Sequence, residues 1–214
     1  SGTLVFALLM LADRFRPTRV FLACCLLGAA CNAAIATLEG QYHTLLALRF
    51  AVGFLLAGIY PVGMKIAASW YREGLGAALG VLIGALVVGT ALPHGLRALV
   101  GGGAALPALG GLQPWQGVVL GVSLLAAAGG LLTARLVPLA PPADGGPIRP
   151  RPLAAIWSEP RLRASVFGYF GHMWELYTLY ALLPVVIATR FSGQQVSVLA
   201  FAAIAAGGLG CAGG

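Results

Sequence analysis

Two side chains on one apolar stretch have the chemistry to carry a proton. His172 is the only imidazole and Glu175 the only carboxyl side chain among residues 164–188. At a spacing of three they share a helix face and can hydrogen-bond to each other. Because imidazole changes its charge near neutral pH, the pair could bind and release a proton. The alternative is a structural hydrogen bond that holds this helix to a neighbour.

The position of Glu175 favours function. It lies twelve residues beyond Arg163, or about 18 Å along a helix. An ionisable group that deep in a membrane is costly and is a functional candidate by default. On a helical wheel it shares a wedge with small and polar residues, whereas the opposite side carries aromatic residues. We expect the wedge to face a cavity and the aromatic side to face lipid or neighbouring helices. Besides Glu175, the wedge contains Gly168, Gly171, His172 and Thr178. The aromatic side contains Phe167, Phe170, Trp174 and Tyr177.

A second candidate group lies on an earlier apolar stretch. Arg49, Gly53 and Tyr60 fall on one helix stripe, with the arginine and the phenol about 16 Å apart along the axis. A guanidinium there could meet an anionic solute or a carboxylate. The alternative is that Arg49, about 8 Å from the end of its span, reaches the headgroups with its long side chain. Tyr180, on the helix of Glu175, completes the candidate residues for substrate binding or proton coupling.

Motifs for metal binding and for catalysis are missing from the sequence. The four cysteines lie inside apolar segments without the paired spacing of a zinc site; they are Cys24, Cys25, Cys31 and Cys211. Neither H-E-x-x-H nor G-x-S-x-G occurs. We therefore expect no metal, no cofactor and no enzymatic activity.

The composition is that of a membrane protein. Apolar residues make up 59% of the 214 residues and charged residues only 9%, against about 25% in soluble chains. The net charge of +7 is spread over short gaps between apolar runs, so nucleic acid is not an expected partner. The runs lack the alternation of a membrane barrel, which predicts an all-α protein whose solvent is the lipid bilayer.

The apolar runs divide the chain into about seven predicted spans. They cover residues 1–11, 20–38, 44–67, 74–99, 115–137, 164–188 and 195–214, of which the first is partial. Because both chain ends fall inside apolar runs, we expect an internal fragment of a longer protein. In the fourth span Gly76, Gly80 and Gly84 form a stripe on which a neighbouring helix can pack closely.

The basic residues predict the orientation of these spans. Ten Lys and Arg residues fall on one side and only Arg97 and Arg190 on the other, which places the 13–19 loop in the cytoplasm. Residues 139–163 are rich in Pro, Gly and Arg and form a predicted central linker on the same side. This linker separates an amino-terminal bundle, residues 1–138, from the start of a second bundle, residues 164–214. Within it, residues 153–157 are either a short interfacial helix anchored by Trp157 or a disordered connection.

Two motifs in register resemble the major facilitator superfamily. Residues 11–14, Leu-Ala-Asp-Arg, match the loop between helices two and three of that family, and Arg19 lies near the closing arginines of its pattern. The sequence Arg49-x-x-x-Gly53 is similar to the motif of helix four, and Trp115 stands where helix six commonly begins.

The resemblance implies a transmembrane helix bundle with helices two to eight of an expected twelve. It also implies secondary active transport of a small polar or anionic organic solute by alternating access, with proton coupling as an option. Asp13, Arg14 and Arg19 would form the gating loop, and Gly53 would be a helix-packing position. We expect a monomeric transporter unit in the cell membrane, the inner one where there are two.

Other classes of membrane protein remain open at this point. A seven-helix receptor would also give seven spans, and a channel would be distinguished by conduction without coupling. Twelve spans in a complete reading frame would favour the transporter.

Overall fold

The computed structural model describes residues 16–38, 41–71, 73–101, 112–137 and 155–213. These residues form eight helices: α1 (Pro17–Ile35), α2 (Tyr42–Leu56), α3 (Tyr60–Trp70), α4 (Leu75–Gly101), α5 (Pro114–Leu136), α6 (Ala155–Ser158), α7 (Pro160–Ala188) and α8 (Gln194–Gly213).

Six stretches of the described residues are helical, long and apolar enough to cross a bilayer. The described residues thus hold six spans, where seven were predicted for the whole chain. The predicted partial span, residues 1–11, lies outside the described residues, and α2 and α3 together form a single span. Five of the six spans begin one to four residues earlier than predicted, and three of them have a proline, Pro17, Pro114 or Pro160, in the first turn. A missing backbone N–H costs nothing there, since it would have no helical partner.

The helices contact one another in a series of neighbouring pairs. α1 contacts α2, α3 and α5; α5 contacts α4; α4 contacts α8; and α8 contacts α7. α3 also touches α4, so α3 and α7 are linked through the α4–α8 pair. Many large apolar side chains remain exposed, as expected where lipid tails replace water; Leu124 and Trp174 are 72% and 80% exposed.

Amide side chains link α1 to α5. Asn32 Nδ2 donates to Ser123 Oγ at 3.0 Å and to the Val119 carbonyl at 3.2 Å. Just past the carboxy-terminal end of α1, Gln116 Nε2 donates to the Ala36 carbonyl at 2.8 Å. In hydrocarbon such groups find no water, so these bonds satisfy groups that would otherwise destabilise the bundle.

Glycines allow α4 and α8 to approach closely. A Cβ atom at Gly80 would lie 2.7 Å from the Cys211 carbonyl oxygen, and one at Gly84 would lie 2.8 Å from that of Gly208. Further along the same contact, Ala91 and Ala200 are completely buried. Small residues that bring two backbones together are a common way of joining helices in lipid.

This contact joins the two predicted bundles, since α4 lies in residues 1–138 and α8 in residues 164–214. The division into those bundles and the 139–163 linker stays a prediction, and most of the linker lies outside the described residues. Its predicted interfacial helix falls in part on α6, whose four residues pack against α7. Gly53 and Gly76, the other glycines expected to pack, have no described atom within 4 Å of where a Cβ would stand.

Candidate functional site

A break in the second described span positions a tyrosine. Between α2 and α3 the amides of residues 57–59 bond to carbonyls three residues back, a tighter winding than the α-helix. Pro61 follows in the first turn of α3 and lacks the N–H that would bond to the Ala57 carbonyl. The α-helix restarts after this break, and Tyr60 is its first residue.

Tyr60 lies within electrostatic range of two tyrosines of α7. Its phenol is half-buried and interacts electrostatically with the phenols of Tyr169 and Tyr177. We call these three residues the tyrosine cluster. Because α3 contacts α4 and α7 contacts α8, the three phenols come from helices on different members of the α4–α8 pair, and we call the region between them the cleft. Each phenol can both donate and accept a hydrogen bond, so the cleft presents polar groups on two walls.

The remaining surface of α7 next to the cluster is apolar. An open hollow of about 620 Å³ runs along the helix and is bordered by Tyr177 with Phe170, Met173 and Trp174. Trp174 and Tyr177 are 80% and 67% exposed. The cluster therefore combines phenol groups with a broad aromatic surface, which suits an organic solute with both polar and apolar parts.

The predicted proton pair lies on another part of α7. The half-buried stripe of this helix, which includes Met173, Leu176 and Tyr180, faces α8, the span against which α7 packs. Glu175 points about 130° away from the middle of that stripe, and both His172 and Glu175 are exposed. Within the part of the chain that the structure describes, no hydrogen bond or ring contact joins them to the tyrosine cluster, so their role in coupling stays a prediction.

The other predicted site residues are spread over the protein. Arg49 is exposed on α2, the helix that directly precedes the break. Tyr180 belongs to the packing stripe of α7 rather than to the cluster. Of the gating loop, Asp13 and Arg14 lie outside the described residues, and Arg19 is exposed in the first turn of α1.

Sequence reasoning identified Tyr60 but not its two partners. On the helical wheel Tyr177 falls on the side assigned to lipid or neighbouring helices, and Tyr169 lies beyond an edge of the polar wedge. Only the packing of α7 beside α8 brings both residues towards α3. The signal for these partners in the sequence was the pair of phenols eight residues apart on α7. Such a spacing also occurs in helices with a purely structural role.

The family comparison decides which class of membrane protein this is. The family model described as Major Facilitator Superfamily matches residues 2–214, nearly the whole chain. The chain belongs to the major facilitator superfamily. Members of this superfamily are membrane transporters, and a partial superfamily bundle accounts for the all-helical structure and the six described spans.

No curated protein and no solved structure matches the chain in the corresponding comparisons. The superfamily match therefore indicates the general activity, membrane transport. The candidate site rests on the tyrosine cluster.

Proposed function

We propose that this superfamily chain works in secondary active transport of a small polar or anionic organic solute by alternating access. It acts as a monomeric unit in the cell membrane, with a proton as the coupling ion. The family match supports transport over the receptor and channel alternatives. The solute class rests on the cleft between α3 and α7.

The observation that carries this proposal is the tyrosine cluster. It takes Tyr60 from the amino-terminal half and Tyr169 and Tyr177 from the carboxy-terminal half of the chain. Phenol hydroxyls donate to carboxylate, phosphate or hydroxyl oxygens and accept from hydroxyl or amino groups. A solute held between the two halves makes different contacts as the halves move, which alternating access requires.

Arg49 supplies the positive charge in this proposal. It lies eleven residues before Tyr60 on the same span, and its exposed guanidinium can attract an anionic solute towards the cleft. The break at residues 57–59 gives the span a joint between the arginine and the phenol.

Proton coupling is proposed at His172 and Glu175, on a part of α7 away from the cluster. Separate solute and proton sites on one rigid helix are coupled when both favour the same conformation of that helix. Asp13, Arg14 and Arg19 then act at the cytoplasmic gate, where a carboxylate and arginines can form charge-assisted hydrogen bonds in one conformation only.

The test is uptake into proteoliposomes that contain the protein. Labelled carboxylates, sugars and amino acids are offered with and without an acidic outer solution. We expect saturable uptake of one class and accumulation against its gradient when the outside is acidic. Uptake that does not saturate would favour a channel, and no uptake of any class would contradict the proposal.

A variant separates coupling from solute binding. Glu175→Gln should abolish uphill uptake and leave exchange of labelled for unlabelled solute partly intact, because exchange needs no net proton movement. Equal loss of both activities would assign Glu175 to solute binding or to the fold. Full uphill uptake would remove it from the mechanism.

A further inference from the structure

A tryptophan on α6 lies just before α7, close in sequence to two arginines in the first turn of that helix. The short helix α6 ends at Ser158, Glu159 is extended, and α7 begins at Pro160. We call residues 157–163 the basic elbow. The Trp157 ring meets the Phe167 ring edge-on, with centroids 6.0 Å apart, and Arg163 Nη1 donates to the Trp157 carbonyl at 3.4 Å. These contacts hold the indole against the side of a membrane-spanning helix.

The elbow nevertheless presents its polar and aromatic groups outwards. Trp157 is 65% exposed, and the side chains of Arg161 and Arg163 are exposed as well. Their two positive charges are offset in part by the carboxylate of Glu159, which leaves the elbow with a net positive charge. An exposed indole at the end of a span is typical of the headgroup level of a bilayer.

We propose that the basic elbow binds an anionic phospholipid of the adjacent leaflet. Arg163, which lies on the face of Phe167 and Trp157, meets the phosphate of the headgroup, Arg161 on another face of the same turn adds positive charge, and Trp157 lies at the boundary between headgroup and acyl chain. A planar guanidinium donates two parallel hydrogen bonds to a phosphate, a geometry that favours arginine for this ligand.

Two observations favour an anionic lipid over other occupants. The indole fixes the depth, since a group at the headgroup level of a span meets lipid phosphates before any soluble ligand. The net positive charge then selects among lipids, because a zwitterionic headgroup has no net charge to attract. The proposal depends on α7 being a membrane span and is independent of the proposed solute and coupling ion.

Retention of lipid by the purified protein tests the proposal. The protein in mild detergent is mixed with dioleoyl phosphatidylglycerol or dioleoyl phosphatidylcholine, and bound lipids are counted by native mass spectrometry. At about 1 kcal/mol for each basic residue near an anionic surface, each arginine contributes about fivefold to the affinity. Replacing both, R161Q with R163Q, should therefore weaken phosphatidylglycerol binding by about thirtyfold and leave phosphatidylcholine binding unchanged.

The matched control removes two exposed arginines at the opposite ends of the spans, R97Q with R190Q. It has the same loss of charge and should bind phosphatidylglycerol like the unaltered protein. Equal weakening in both double variants, or equal retention of the two lipids by the unaltered protein, would overturn the proposal.

A measurement on the unaltered protein decides the matter if the elbow variant does not fold. Raising the salt concentration about tenfold, from about 50 to about 500 mM, screens the charges of arginine and lipid. It should therefore release phosphatidylglycerol but not phosphatidylcholine. Retention of phosphatidylglycerol at high salt would contradict charge-based recognition.

Discussion

Replacement of Gly84 by alanine should weaken the contact between α4 and α8. The added Cβ would lie 2.8 Å from the Gly208 carbonyl oxygen and 3.6 Å from the Cys211 Cβ. The first distance is 0.6 Å short of the 3.4 Å at which ordinary van der Waals contact begins. Because the obstructing atom belongs to a helix backbone, it cannot rotate away, so the two helices must separate.

The size of the effect follows from overpacking, which costs about 1 to 3 kcal/mol in well-packed interiors. Alanine also favours the helix over glycine by up to about 1 kcal/mol, which offsets part of the loss. Gly76→Ala is the matched control, since it makes the same change on the same helix where a Cβ meets nothing within 4 Å. The difference between the two variants, about 1 to 3 kcal/mol, isolates the steric cost.

The assay is reversible unfolding in mixed micelles with increasing dodecyl sulfate, followed by circular dichroism. We expect Gly84→Ala to unfold at a lower detergent fraction than Gly76→Ala. Equal stability of the two variants, or a more stable Gly84→Ala, would refute the close α4–α8 contact.

Three further predictions address other parts of the chain. Asn32→Ala should lower the free energy of unfolding by about 1 kcal/mol, because its hydrogen bonds to Ser123 and to the Val119 carbonyl on α5 are lost. Thr37→Ala is the control in the same unfolding assay and should have little effect, because the Thr37 hydroxyl bonds only to the nearby Ala34 carbonyl. Arg49→Gln should slow uptake of an anionic solute more than Arg49→Lys does, and normal uptake by the glutamine variant would make Arg49 a lipid-facing anchor. Asp13→Asn should reduce transport without reducing the amount of folded protein in the membrane, whereas unchanged uptake would count against a gating role.

Hydropathy predicted the spans well because a bilayer requires long apolar helices whatever their neighbours. The first described span was expected at residues 20–38 and is found at Pro17–Ile35. The shift has a local cause, since Pro17 starts the helix and the chain leaves it through the turn at Ala36 and Thr37. The break at residues 57–59 was not predicted, although Gly58 and Pro61 carried a signal for it in the sequence.

The candidate site was predictable only in part because it depends on contacts between distant helices. The spacing of His172 and Glu175 is a property of one helix, so sequence alone could place them on neighbouring turns. The approach of Tyr60 to Tyr169 and Tyr177 depends on how α3, α4, α8 and α7 pack in turn, and helix periodicity contains no such information. The glycines of α4 show the same limit, since Gly80 and Gly84 meet α8 while Gly76 does not.

The central claim, that the solute binds at the tyrosine cluster, is tested most directly by removing one phenol oxygen at a time. The concentration dependence of uptake is measured for Tyr60→Phe and Tyr177→Phe, with Tyr71→Phe, an exposed tyrosine at the end of α3, as the control. A hydrogen bond to a charged group contributes about 1.5 to 3 kcal/mol, so each cluster variant should raise the KM for an anionic solute about tenfold or more. The control should keep the KM of the unaltered protein. An unchanged KM in both cluster variants, at equal amounts of protein in the membrane, would contradict binding at the cluster.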